Sequence, residues 1–478
     1  MVFSANPAAR CNFTFRQTAA GFLGAPGLPF VDILSEKLIA RVFANHGGLF
    51  GRTYTTAIVL WAFMSQVLRD GKEASCQSAV ARISSYLGLS SQDEVDPDTR
   101  DYCRARAKLP EAALRELTTT VANEAERVIE PQHLWKGRHA KLIDGSTFMM
   151  PDTPKNQAVY PQNPAQKPGI GFPIARFVVV LSLATACVID CAIAKYKGKE
   201  TGETALLRQL LGCFCKGDVA VADRFYGNYW MIALLMQAGV DVCFRKHQSR
   251  HTDFRRGRRL GKDDHVVTWL LPNRPQWMSK ELYDSMPSSI ELREIRYVIT
   301  KPGRKQDPFV IVTTMTDVDS DDAVQYEDLA ELFGFRWNAE LDIRSIKTHL
   351  NLNHLRCKSP EMVRKEFWVT MLAYNAIRTT SLGSAWICGT RPREVSFVSC
   401  CQFVLAAWDV IDTMTAEARR AYCLSRLGQI GKCLVGRRTG RFEPRVRKKR
   451  GSNYNLMMQP RQALQAKLAT GDNSFETK

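Results

Sequence analysis

The chain has 478 residues, too long for one ordinary core and suited to about two to four folding units. Its 45% hydrophobic and 24% charged residues belong to a globular protein and exclude disorder over most of the length. Sixty-six Lys and Arg against 48 Asp and Glu leave a formal charge of +18, which calls for a polyanionic partner, nucleic acid before a membrane surface.

Residues 1–30 carry Gly and Pro without periodicity, as an irregular arm would. No basic-then-apolar leader opens the chain, so a cytoplasmic, nucleoid-associated protein is expected. From Val31 to about Glu130 helical periodicity recurs in VDILSEKLIARVF, TYTTAIVLWAFMSQVL and SCQSAVARISSYLGLS, then in a segment opened by Pro97 and a helix with Pro110 in its first turn. A helical N-terminal DNA-binding domain over residues 1–130 is expected. Within it, Ser75 to Lys108 fits a helix-turn-helix, with LGLS as the turn and Arg100, Arg104 and Lys108 on one face of the following helix. An ordinary bundle with a basic surface fits the same residues.

From His139 the period shortens. KLIDGSTFMMPD predicts a strand holding Asp144, and a Pro- and Gly-rich loop follows as far as Pro173. Phe177 to Ala194 is apolar enough for a membrane span, but it contains Asp190 and breaks near Thr185 and Ala186, so two buried strands fit better. Glu203 to Leu211 predicts a short helix, GDVAVAD a strand ending on Asp223, and Asn228 to Ala238 a helix leading into the strand VDVCF. Three strands, a helix, a strand, a helix and a strand make an α/β order compatible with a ribonuclease-H-like core, whose first part spans residues 131–246.

Residues 247–324 look like a β-rich insertion, with VVTWLL, IELREIRYVIT and PFVIVTTMT as strands. Arg255, Arg256, Arg258 and Arg259 cluster there in a loop-like run suited to DNA-backbone contact. Helical periodicity returns over 325–395, the second part of the core, and recurs more weakly in a C-terminal helical region over 396–478. That region ends in GRRTGRFEPRVRKKRG, too charged to bury, which serves as a solvated tail or as a phosphate contact. The 14 cysteines include no CxxC and lack a nearby histidine cluster, so reduced thiols are expected rather than a zinc site.

Glu331 to Leu350 reads as one helix in which Phe333, Arg336, Glu340 and Lys347 share a narrow arc, beside an apolar stripe of Phe335, Ala339, Ile343, Ile346 and Leu350. A solvated ion-pair face is the plain alternative for the charged stripe. Asp144, Asp223 and Glu340 lie 79 and 117 residues apart, the first two on strands and the third on a helix able to pack beside them. Three gathered carboxylates repel unless cations neutralise them, and oxygen-only ligands favour Mg²⁺ or Mn²⁺. Two such ions, about 3.5–4 Å apart, suit phosphodiester chemistry. His349 and His354, just beyond this helix, are read as structural.

DGSTFMMPD around Asp144, VADRFYGNYW around Asp223, and the run Phe333, Arg336, Glu340, Lys347 together resemble the insertion-sequence-four family of bacterial transposases, whose signature is Tyr-x2-Arg-x3-Glu-x6-Lys. Arg336, Glu340 and Lys347 match that spacing, and Phe333 stands where the family usually has tyrosine. The resemblance implies a DDE triad of Asp144, Asp223 and Glu340 as metal ligands for two Mg²⁺ ions, with Mn²⁺ as a substitute. It implies phosphate contacts from Arg336 and Lys347, and an insertion-domain tryptophan, Trp269 or Trp277, stacked on a flipped base, with core packing as the alternative for each. Cut-and-paste movement of an element with inverted-repeat ends follows, with double-stranded DNA as partner and a homodimer in the synaptic complex. A transposase-derived DNA-binding protein without catalysis, and a structure-specific nuclease without strand transfer, are the rival expectations.

Overall fold

The protein is seen as a computed structural model that describes residues 33–89, 95–298, 308–408, 410–411, 414–436 and 457–471. Five helices come first: α1 (Glu36–Ala44), α2 (Thr56–Val67), α3 (Cys76–Leu89), α4 (Arg100–Ala107) and α5 (Glu111–Val128). Ser35 and Thr55 cap α1 and α2 by accepting the N–H of Leu38 and Ile58, which satisfies backbone donors that the helix itself leaves unpaired. Pro110 is the N-cap of α5 rather than a residue of its first turn.

The sheet begins with β1 (Ala140–Met149), followed by α6 (Pro154–Val159), β2 (Ile174–Ser182), β3 (Val188–Lys195), α7 (Glu203–Arg208), β4 (Val219–Ala222), α8 (Tyr229–Gln237) and β5 (Asp241–Arg245). The apolar stretch at 177–194 is two antiparallel strands, and Ala186 takes a positive φ of 61° at the turn between them. Next come β6 (Arg258–Gly261), β7 (Asp264–Leu270), α9 (Lys280–Asp284), β8 (Ser289–Tyr297) and β9 (Phe309–Thr313). The strands form one sheet in the order β3-β2-β1-β4-β5-β9-β8-β7-β6. β4 runs parallel to β1 and β5 parallel to β4, while the other neighbours are antiparallel. The stretch expected to be a β-rich insertion thus extends the same sheet, because β9 pairs antiparallel with β5 from Cys243↔Thr313 to Arg245↔Ile311.

The chain closes with α10 (Tyr326–Phe335), α11 (Trp337–His349), α12 (Pro360–Cys388), α13 (Phe397–Trp408), α14 (Ala416–Lys432) and α15 (Arg461–Ala469). The segment read as one helix from Glu331 to Leu350 is two, parted at Arg336, which caps one and opens the other. Its apolar stripe does anchor it, since Ala339, Ile343, Ile346 and Leu350 are buried in the same core as Leu142 of β1.

α12 is the central post. Its Arg364 holds Glu111 of α5 with two nitrogens, at 2.7 and 2.6 Å, and its Asn375 amide donates to Thr118 O of α5 and Val188 O of β3. One apolar core therefore runs from Leu34 through β1 and α12 to Ile430. A second fills the other face of the sheet under α7 and α8. Among the described residues no helix is long and apolar enough to cross a membrane. The basic run at 437–450 lies outside the described residues, and the LGLS stretch expected as a turn is not one where it is described: Leu87, Gly88 and Leu89 continue α3, and Ser90 lies outside the described residues.

Candidate active site

β1 is buried from Ala140 to Ile143 and opens at Asp144, from which point four successive residues are partly exposed. The cause is its neighbour: β4 pairs with β1 only from Ala140↔Val219 to Ile143↔Ala222, and then ends. Asp144 and Asp223 are the next residues on these parallel strands, so they stand side by side where the strands part, at a spacing of about 4.8 Å between strands. Alternation fixes the face of Asp144. Leu142 lies in the core that holds α11, so Asp144, two residues on, faces the same helix, while Asp223 follows the last residue of β4 and is not among the residues that line the Asp144 pocket.

α11 brings Glu340 to that place. Asp144, Gly145, Ser146, Glu340, Ile343, Arg344 and Lys347 are among the residues lining one open pocket of about 360 Å³. Burial pushes the Asp144 carboxyl up to about 6; the Gly145 N–H and Arg336 oppose the rise, while Glu340 and Glu203 add to it. Arg336 Nη2 donates to Glu340 Oε1 at 2.9 Å, so the cation answers the acid four residues on. Lys347 Nζ donates to Ser146 Oγ at 3.0 Å, and burial holds its ammonium below the usual lysine range. Among the described residues no three His, Cys, Asp or Glu side chains converge closely enough to form a metal cluster by themselves. The pocket lining nevertheless offers two carboxylates, Asp144 and Glu340, which are oxygen donors of the kind a hard cation takes, alongside Arg344 and Lys347.

The remaining sequence-predicted residues fall into separate settings. Phe333 ends α10, partly buried, with its ring 5.3 Å from that of Phe309 and the Arg336 guanidinium 5.9 Å away. Trp269 is buried, donates its indole N–H to Glu294 Oε1 at 3.0 Å and has the Arg250 guanidinium 3.9 Å from its ring centre. Trp277 is half-buried under the Arg208 guanidinium, also at 3.9 Å. Arg255, Arg256, Arg258 and Arg259 are exposed; Arg255 and Arg256 pair with Asp253, Arg258 reaches Thr316 O, and Arg259 reaches Gly261 O. Arg100 and Arg104 are exposed on α4 and pair with Asp98 and Asp101, while Lys108 caps that helix. His354 donates its backbone N–H to Asn351 O, and the His349 ring lies 6.3 Å from that of Phe397.

Three features of this region escaped sequence reasoning. Trp337, at 51% exposure, projects beside Arg336 from the break between α10 and α11. Asp342, one turn-half beyond Glu340, is buried between Arg378 and Arg393 at 2.7 and 2.8 Å. Glu203 accepts the Tyr226 hydroxyl at 3.2 Å on the far side of β1. The only sequence signal for Glu203 was an acid opening a short predicted helix, which by itself marks nothing.

A family model described as "Transposase DDE domain" matches residues 135–376, about half of the chain. The chain is similar to the transposase InsG for insertion sequence element IS4 of Escherichia coli strain K12, at 26% identity over 88% of this chain and 92% of that protein. It is also similar to the putative transposase InsZ of the same strain, at 24% identity over 28% of this chain and 45% of that one. A cryo-EM structure of the piggyBac transposase synaptic complex with hairpin DNA superposes at a TM-score of 0.41 and 10% identity, covering 90% of this chain and 87% of that one.

Proposed function

The chain belongs to the transposase DDE-domain family, and from that premise we propose that Asp144, Asp223 and Glu340 are the acids with which it cuts and joins DNA. It is a DNA transposase of the insertion-sequence-four group. The observation that supports the assignment of the acids is the register of β1 and β4, whose last paired residues, Ile143 and Ala222, directly precede Asp144 and Asp223, while Glu340 shares the lining of the Asp144 pocket. The strand order β3-β2-β1-β4-β5, with β1, β4 and β5 parallel, supports a ribonuclease-H-like core.

The three carboxylates would hold two Mg²⁺ ions, or Mn²⁺ in their place. Such ions supply a lowered pKa for an attacking water or 3′-hydroxyl and charge stabilisation for the leaving oxygen. The protein's own part is to place oxygen ligands and to neutralise phosphate. Arg336, which now donates to Glu340, would be available to a phosphate of the transferred end if Glu340 served as a metal ligand. Lys347, held against Ser146 beside Asp144, is the second grip. The helical region before residue 131 and the exposed arginines at 255–259 would bind the rest of the element end and the target, with two copies of the chain joined across the paired ends. The setting is the bacterial cytoplasm, where the nucleoid offers both DNA partners.

A supercoiled plasmid carrying two matched ends, taken from the DNA that flanks the gene, tests the reading in Mg²⁺. Cutting and joining are expected. Binding without cutting makes this a DNA-binding protein, and cutting without joining makes it a nuclease.

A further inference from the structure

Gly145 follows Asp144 on β1, and alternation turns its missing side chain toward the opposite face of the sheet. A Cβ built at Gly145 would lie 2.7 Å from Glu203 Cδ and 2.9 Å from Glu203 Oε1, both far inside contact distance. The Glu203 carboxylate therefore lies directly against the backbone of the residue after Asp144, in space that only glycine leaves open. Its other oxygen, Oε2, accepts the Tyr226 hydroxyl at 3.2 Å. Tyr226 is buried, and its backbone N–H donates to Asp223 O at 3.1 Å, closing the turn that leaves β4. Glu203 thus lies against β1 at Gly145 and bonds Tyr226 in the turn that leaves β4, close to where the pairing of the two strands stops.

α7, which carries Glu203, is itself fixed at both ends. Arg176 of β2 donates to Thr201 O at 3.1 Å just before it, and Arg208 at its last residue stacks on Trp277 and pairs with Glu200. The acid is half-buried under the sheet, so it is a poor candidate for direct contact with DNA on the other face.

We propose that Glu203 is a positioning residue of the transposase reaction, tying the Asp144 strand to the Asp223 turn through Gly145 and the Tyr226 hydroxyl so that the two acids keep a spacing that a metal ion accepts. This rests on the assignment of Asp144 and Asp223 as ligands. β1 and β4 share no ladder hydrogen bonds beyond Ile143 and Ala222, and the Glu203–Tyr226 bond stands in for the rung that is missing. Supporting residues around metal ligands commonly alter metal affinity by about 10- to 100-fold when removed.

The test is Mn²⁺ binding to the full chain without DNA, read from the free-ion electron paramagnetic resonance signal, with a melting curve for each variant. Glu203→Ala is expected to weaken Mn²⁺ binding by about 10-fold or more. Glu203→Gln keeps an oxygen for the Tyr226 hydroxyl and is expected to bind within about 3-fold of wild type, while Tyr226→Phe weakens binding in the direction of Glu203→Ala. Wild-type affinity in Glu203→Ala overturns the proposal. So does a Glu203→Gln variant as weak as Glu203→Ala, since the charge and not the bond would then be what matters. Gly145→Ala provides a second route: it should weaken binding in the wild-type background and do so less when Glu203→Ala has vacated the space, whereas equal losses in both backgrounds count against the contact. Asp144→Asn is the control. If it binds Mn²⁺ like wild type, the ligand assignment fails, and this proposal with it, in a way that none of the Glu203 results can imitate.

Discussion

The two ends of the sheet carry charged side chains of similar kinds under opposite conditions. Beyond β5, Lys246 meets Glu294 at 2.6 Å with each side chain below 5% exposure, and the same glutamate accepts the Trp269 indole N–H and stands 3.5 Å from His265 Nε2. Midway along β1, Asp144 has no ion pair among the described residues, and Glu340, 37% exposed, pairs with Arg336. The first cluster is closed by its own partners; the second opens into a pocket whose lining also holds Arg344 and Lys347. α11 repeats the contrast within one turn, since Asp342 is 2% exposed between two arginines while Glu340 faces the pocket. Residue type does not separate the closed acids from the open ones here, but completeness of partnering does.

The largest expected effect breaks the closed end. Glu294→Ala leaves Lys246 buried without its counter-charge, which should cost about 3–5 kcal/mol and lower the melting temperature sharply. Glu340→Gln, at the open end, should change stability by no more than about 0.5 kcal/mol. Chemical denaturation of both variants checks the pair, and equal losses would erase the distinction between the two ends.

A smaller, pH-dependent effect follows from Asp144. Because burial raises its carboxyl to about 6 in the folded chain, the folded state holds that proton more tightly than the unfolded one. The contribution to stability is therefore present at low pH and lost as pH rises from about 4 to about 6. Asp144→Asn never ionises, so it should be more stable than wild type at pH 8, by about 3 kcal/mol, with the gain shrinking toward pH 4. Melting curves across that range check it; a gain independent of pH would assign the effect to packing. The same proton competes with a cation, so Mg²⁺-dependent cleavage should weaken toward low pH and be restored there by more Mg²⁺.

How much of this was legible in the sequence follows from which interactions are local. The β1 and β4 strands, with Asp144 inside the first and Asp223 just after the second, were readable because a change of period marks them, and the α11 stripe because Ala339, Ile343 and Ile346 recur at helical spacing. The break at Arg336 was not, since Arg and Trp are both good enough helix formers to hide it. Nor did any local pattern reveal that residues 258–313 extend the core sheet, which depends on β5 pairing with β9 across 66 or more residues. Asp342, Trp269 and Glu203 owe their settings to Arg378, Glu294 and Gly145, partners between 25 and 58 residues away, and no periodicity records such pairings.

The smallest expected effect concerns Phe333, whose ring packs on Phe309 beneath Arg336. Phe333→Tyr should leave stability within about 1 kcal/mol of wild type and lengthen the life of the cleaved-end complex, because a hydroxyl there adds a donor for a charged phosphate oxygen. Gel analysis of excision products would show this as a raised yield of hairpin ends. An unchanged product pattern means that the ring only packs.

The central claim is that the open acids do the chemistry while other surfaces hold the DNA. It is tested most directly by incubating Asp144→Ala, Asp223→Ala and Glu340→Ala with labelled paired ends in Mg²⁺, measuring end binding and cleavage on the same samples. The account predicts that each variant binds the ends with near wild-type affinity, since phosphate contacts elsewhere supply most of the binding energy, and that none cuts them. Cleavage at the wild-type rate by any one of the three would contradict it.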